Sequence, residues 1–155
     1  MKKVSFIFLF LFSFLMITGC SKERTIDYLM KGYVKAYTKA DLASTKDIFP
    51  PYYVTYAEKY MTQEYLDKSL KEAKEKYGDD FTITYEITKK TKLTDEELKE
   101  LNEKIAKYFK TEEKATECYK FEGTTTFKGS KKEDKQSLSS LGYCKYKGVW
   151  YLVRK

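Results

Sequence analysis

The sequence predicts an α+β fold, with N-terminal helices packed on a curved antiparallel sheet that ends in a C-terminal β-meander. Three observations carry this reading. Apolar residues recur at helical spacing from residue 26 to about residue 77, the period switches to two at Phe81, and the chain closes on Val149-Trp150-Tyr151-Leu152-Val153, a run dense in strand formers.

Ile26, Leu29, Tyr33, Val34 and Tyr37 fall on one helical face, with Lys31, Lys35 and Lys39 between them, so a helix is predicted over 25–40. Asp41 is a good N-cap for a shorter helix running to Ile48. Pro50-Pro51 ends that helix and opens the next, because the residue before a proline resists the helical region while a proline fits the first turn. Val54, Ala57, Tyr60 and Met61 form its apolar face. Thr62 caps a fourth helix carrying Leu66, Leu70 and Ala73, which stops at Gly78.

Phe81, Ile83, Tyr85 and Ile87 then alternate with Thr82, Thr84, Glu86 and Thr88, a strand with one dry face. Thr94-Asp95-Glu96-Glu97 is a capping box, with Leu93 and Leu98 as its hydrophobic staple, and Leu101 and Ile105 continue the helical stripe to Tyr108 or Phe109. In the next strand, over 115–127, the odd positions Ala115, Tyr119, Phe121 and Phe127 are apolar. Gly129-Ser130-Lys131-Lys132 is a turn, a strand through Leu138, Leu141 and Tyr143 returns, and Lys147-Gly148 turns the chain into its last strand.

The first 25 residues read differently. Lys2 and Lys3 precede an apolar run from Val4 to Ile17, too short to span a membrane with comfort and laid out like a secretory signal. Ile17-Thr18-Gly19-Cys20 follows and resembles the lipobox of bacterial lipoproteins. That resemblance implies cleavage between Gly19 and Cys20, diacylglycerol on the Cys20 thiol, and a domain held by its acyl chains on the extracytoplasmic face of the bacterial cell membrane. An ordinary signal peptide, or a short anchor helix with a free cysteine, is the plainer alternative. The division is then a signal over 1–19, a lipidated cysteine and tether over 20–25, and a single domain over 26–155.

Removing residues 1–19 takes Lys2 and Lys3 from the 30 basic residues and nothing from the 23 acids, which leaves a net charge of +5 on the mature chain. That modest excess suits an anionic lipid or wall surface. Tyrosines interleaved with lysines could suggest nucleic acid, but export argues against it, and the tyrosines fall on faces that pack a core.

With Cys20 lipidated, Cys118 and Cys144 remain as a pair. A turn centred on Lys131 sets Cys118 opposite Cys144 and Tyr119 opposite Tyr143, and sends both cysteines to the outer face beside Thr116 and Lys120. A cross-strand disulfide or two reduced cysteines side by side both satisfy this register.

Histidine is absent, which removes the usual general base, the commonest metal ligand and every nucleophile that relies on it. No phosphate-cradling glycine loop occurs, and Asp79-Asp80 and Asp95-Glu96-Glu97 read as a solvated turn and a helix first turn. Neither a cofactor nor a metal is expected.

The order of elements and the closing strand Lys147-Gly148-Val149-Trp150-Tyr151-Leu152-Val153 resemble the cone-shaped NTF2-like domains of small lipoproteins, and a cystatin-like sheet around one helix is the alternative. The NTF2 resemblance implies a concavity between the first helix and the sheet, lined by Tyr33, Tyr37, Tyr56, Tyr60, Tyr85 and Tyr119. The function expected is non-catalytic binding of a small ligand, a peptide or an envelope protein. Rivals are a small-molecule enzyme with an Asp/Tyr acid–base pocket, for which no acid falls on the apolar faces, and a structural or protective envelope protein. Oligomeric state is not legible.

Overall fold

The computed structural model describes residues 24–154. The signal segment, Gly19 and Cys20 lie outside the described residues. The described chain runs α1 (Ile26–Thr38), α2 (Leu42–Ile48), α3 (Pro51–Ala57), α4 (Gln63–Tyr77), β1 (Thr82–Lys92), α5 (Asp95–Phe109), β2 (Glu117–Lys128), β3 (Glu133–Ser137), a single 3-10 turn (Leu138–Ser140), β4 (Leu141–Tyr146) and β5 (Val149–Arg154). This is the α+β arrangement, helices on a curved antiparallel sheet, and among the described residues no helix is long and apolar enough to cross a membrane.

Local chemistry sets the helix ends. Thr25, Asp41, Thr62 and Thr94 each accept a first-turn backbone N–H through the side chain. At Thr94 the capping box closes in both directions, with the Glu97 carboxylate accepting from the Thr94 N–H at 2.9 Å. Gly78, at φ 114°, ends α4 in a conformation that a residue with a Cβ resists.

The sheet order is β1-β2-β4-β5, with β3 also paired to β2. β3 and β4 lie in succession along one edge of β2, joined by the 3-10 turn. Thr124 pairs with Ser137 and Lys120 with Gly142, so three residues of β2 oppose four of the partner. The turn absorbs the extra residue, so the return strand expected as one piece is broken into two. β1 runs to Lys92, further than its alternation predicts, because a bulge between Ile87 and Lys89 shifts the register and ends the dry–wet pattern. Gly123 lies opposite, where a Cβ would collide with the Glu86 carbonyl.

Both faces of the sheet are covered. On one, Leu29 and Met30 of α1, with Ile48 and Phe49, pack on Phe121, Leu138, Leu141, Tyr143 and Leu152. On the other, Leu98, Leu101 and Ile105 of α5 pack with Ala115, Cys118, Cys144, Tyr146 and Val153. Cys118 pairs with Cys144 in the ladder as expected, but not by the expected route. The turn sets β2 against β3 one residue out, with Lys128 opposite Glu133, and the extra residue at the 3-10 turn brings the cysteines level, where they are joined as a disulfide with Cα atoms 4.0 Å apart. The outer face on which sequence reasoning places them is not a wet face. The stripe on α5 has to be buried and lands there, leaving Cys118 and Cys144 at 1% and 0% exposure.

The bridge closes a loop of 26 residues, which in the chain-entropy picture is worth about 3.5 kcal/mol through the unfolded state. Urea unfolding with and without a reductant that acts on the unfolded chain should differ by roughly that amount. Identical midpoints would mean that the thiols are not bonded in the purified protein.

Candidate functional site

The six tyrosines singled out in the sequence do not share a cavity. Tyr33 and Tyr37 pack against each other along α1 with tilted rings, centroids 4.9 Å apart, and burial raises the pKa of both hydroxyls. Tyr85 donates to Asp27 at 2.8 Å on the flank of α1. Tyr119 lies beside the stacked pair Tyr143 and Trp150 at one end of the sheet and donates to Glu117 at 2.7 Å. Tyr56 and Tyr60 form a second neighbouring pair, on α3 and just beyond it, ring centroids 5.1 Å apart. The space between α1 and the sheet is filled by the large apolar side chains of the first core.

Carboxylates reach tyrosines where the sequence showed none, because each comes from the margin of an element. Asp27 accepts from Tyr85 and pairs with Lys31 at 2.6 Å, Glu117 accepts from Tyr119 and pairs with Lys92 at 3.1 Å, and Asp134 accepts from Tyr77 and pairs with Lys76 at 2.9 Å. Glu113 pairs with Lys147 through Oε1 at 2.9 Å, while its Oε2 is buried without a hydrogen-bond partner. Its charge raises the hydroxyls of Tyr52 and Tyr146, which share a hydrogen bond of 3.1 Å and are raised first by burial. A lysine on each of the first three carboxylates holds it ionised. The hydrogen bond from Lys31 lowers Asp27, those from Tyr119 and Lys92 lower Glu117, and those from Lys76, Lys132 and Tyr77 bring Asp134 down to about 2. Such groups are weak proton acceptors at neutral pH.

Concave features lie at the margins. A groove of about 420 Å³ runs between α1 and the edge of β1, with Val34 and Ile83 in its floor, Lys31, Lys35 and Lys39 along its rail, and Tyr85 at its end. A smaller pocket of about 190 Å³ is closed by Phe49, Val54, Ala57 and Met61 between α2, α3 and the start of α4. A shallow depression of about 390 Å³ beside α4 is lined chiefly by charged residues. Among the described residues no group of three or more acids and cysteines is placed to hold a metal ion.

The most distinctive surface is aromatic. Tyr56 packs on Tyr60, Tyr108 and Phe109, with centroids 5.1, 5.8 and 5.2 Å away, and Tyr108 contacts Phe109 at 4.9 Å. Tyr60 and Tyr108 are nevertheless 63% and 66% exposed. Phe109 continues the cluster inward to Tyr52 and Tyr53, so the ledge is rooted in the second core. Tyr56 and Tyr108 share a hydroxyl hydrogen bond of 3.1 Å. The sequence marks Tyr56 and Tyr60 but not their meeting with Tyr108. That contact spans 52 residues, and nothing in the local pattern sets α3 beside α5.

No protein-family model, curated protein or solved structure matches the chain. The likeness to NTF2-like domains therefore rests on the order of elements and the closing Trp150 strand.

The tyrosines make the fold sensitive to alkali. The hydrogen bond with Tyr108 and burial push Tyr56 up to about 12, and burial and the bond to Asp27 do the same for Tyr85. A group whose pKa is raised in the folded state stabilises fully below its unfolded value, near 10, and loses that contribution as the pH rises through the folded one. Stability followed by circular dichroism should therefore fall from about pH 10 to about pH 12, in step with tyrosinate absorbance. Ionisation of all the tyrosines near pH 10 with the fold intact would contradict these environments.

Proposed function

We propose that the protein is a lipid-anchored extracytoplasmic interaction protein that holds an envelope protein through the ledge of Tyr56, Tyr60, Tyr108 and Phe109. The supporting observation is the combination of exposure and order in that ledge. Tyr60 and Tyr108 face solvent, yet their rings are already packed on Tyr56 and Phe109. Tyrosine supplies large contact area with few rotors to freeze and a hydroxyl for the rim, which is why it is enriched at contact surfaces. The filled core between α1 and the sheet supports a surface site over an enclosed small-molecule site. The α1–β1 groove favours a second reading, in which an extended anionic ligand lies along Lys31, Lys35 and Lys39.

The anchoring half of the proposal rests on the lipobox ending at Cys20. Labelled palmitate should enter the wild-type chain and not a Cys20→Ala chain, which should also leave the detergent phase in a cloud-point separation. Equal labelling of both would remove the anchor.

The ledge is tested by a photo-crosslinking residue at position 60, compared with the same residue at the exposed Lys68 of α4. A discrete crosslinked envelope protein is expected at position 60 only. Tyr108→Ala should weaken its capture by at least about tenfold while leaving the melting temperature nearly unchanged, since the ring is mostly in solvent. Equal crosslinking at both positions would sink the ledge as the contact surface. Competition of the crosslink by a polyanion would shift the reading to the groove.

A further inference from the structure

Arg24, the first described residue, is fastened to the sheet at both its backbone and its side chain. The Tyr143 hydroxyl donates to the Arg24 carbonyl at 2.8 Å, and the Arg24 guanidinium lies 4.9 Å from the Tyr151 ring centre while donating to the Asp47 carbonyl at 2.6 Å. The chain thus joins the domain at the β5 edge. On Tyr143 stacks Trp150, at 4.2 Å and 8° between planes, and Tyr119 approaches Trp150 at 5.8 Å. Lys145 lies over the Trp150 ring at 5.5 Å and Lys90 over Tyr119 at 4.5 Å. Lys92 pairs with Glu117 in the same corner.

This end of the sheet therefore carries partly exposed tryptophan and tyrosine rings and three lysines, Lys90, Lys92 and Lys145, against Glu117, with Asp95 near enough to Lys92 to act on its charge. Lys145 lies opposite Glu117 across the β2–β4 pair and shares that one carboxylate with Lys92, while Lys90 makes no ion pair among the described residues. Amphipathic rings with cations beside them match the boundary of an anionic bilayer, where rings settle at headgroup depth and ammonium groups meet phosphates. Chain length brings that boundary close. Three residues separate Cys20 from Arg24, so whatever path they take, Cys20 lies within about 14 Å of Arg24.

We infer that this end of the sheet rests on the anionic lipid surface that holds Cys20, with Trp150 and Tyr119 at headgroup depth and Lys90 and Lys145 on lipid phosphates. The inference rests on the lipid-anchor reading and adds to it an orientation and a lipid preference. It does not involve the aromatic ledge.

Trp150 is the single tryptophan of the chain, so its emission reports on this corner alone. The lipidated full-length protein is reconstituted in phosphatidylglycerol vesicles with and without bromine on the acyl chains, and in phosphatidylcholine vesicles likewise. Bromine is expected to quench Trp150 in the anionic vesicles, and to quench it less in neutral ones or at high salt. Replacing Lys90 and Lys145 by Gln should lower the ratio of docked to undocked domain by about fivefold per lysine, with co-sedimentation unchanged. The salt dependence of the wild-type chain gives the same answer should that variant fold poorly. A chain that sediments with vesicles yet shows equal emission with and without bromine overturns the docking and leaves the anchor standing. A chain that stays in the supernatant overturns the anchor, and the docking with it.

Discussion

β2 hydrogen-bonds to three strands, with β1 along one edge and β3 then β4 along the other, and the fold needs both of its faces. Phe121 points into the core under α1 while Cys118, three residues earlier, points into the core under α5. A strand with one dry face can be served by one helical layer, but a strand dry on both has to be covered twice. The bridge to Cys144 ties β2 to β4 within the second core, and its insulation by α5 keeps it from solvent. Without the second cover, Tyr146, Val153 and the cysteines would form an exposed apolar stripe, and Tyr52 and Phe109 would lose the surface on which the ledge is rooted.

Much of this was legible in local signals. Caps at Asp41, Thr62 and Thr94 and the stop at Gly78 depend on residues close in sequence, and each falls where the chemistry requires, whereas the Cys118–Cys144 row was reached from a turn length that the structure sets one residue differently and the 3-10 turn then offsets. What was not legible is where one amphipathic element goes when two faces could receive it. The stripe of Leu98, Leu101 and Ile105 announces a helix with an apolar side but carries no address, so the outer side of the cysteine row read as wet. The same gap scattered the candidate tyrosines. Spacing on α1 and β1 places Tyr37 and Tyr85 on apolar faces, yet the interior between those elements is taken by Leu29, Met30 and Phe121, which are better core fillers and carry no hydroxyl to satisfy. Lys89, Lys90 and Lys92 concealed the second half of β1. They do not alternate with apolar residues, and edge strands use such lysines to discourage pairing with another chain.

Tyrosine in place of phenylalanine has a consequence that runs through the molecule. A hydroxyl taken from water needs a partner, and in this fold the partners, at buried and exposed positions alike, are other tyrosines or carboxylates: Tyr52 with Tyr146, Tyr56 with Tyr108, Tyr77 with Asp134, Tyr85 with Asp27, Tyr119 with Glu117. Most of these contacts join segments far apart in the chain, so the hydroxyls specify which elements meet while the rings supply the buried area. At the ledge the same pairing restrains the exposed ring of Tyr108, which would lower the entropy cost of a contact made there.

The perturbed groups among the described residues all move away from neutrality. Asp27, Asp41, Asp80, Glu97, Glu117 and Asp134 are lowered, chiefly by hydrogen bonds from lysines, serines, tyrosine or backbone N–H groups. Lys76 and Lys92 are raised by the tyrosine or carboxylate they touch, and the affected tyrosines are raised by burial or by their hydrogen bonds. An acid–base centre is built the other way, with burial and like charges drawing carboxylates up and lysines down toward the working pH. With no histidine in the chain as well, the charge of the described surface changes little across the range in which most proteins gain or lose protons. If the proposed contacts form, with phosphates through Lys90 and Lys145 or with a protein at the ledge, a surface of this kind would keep their strength when the surroundings acidify.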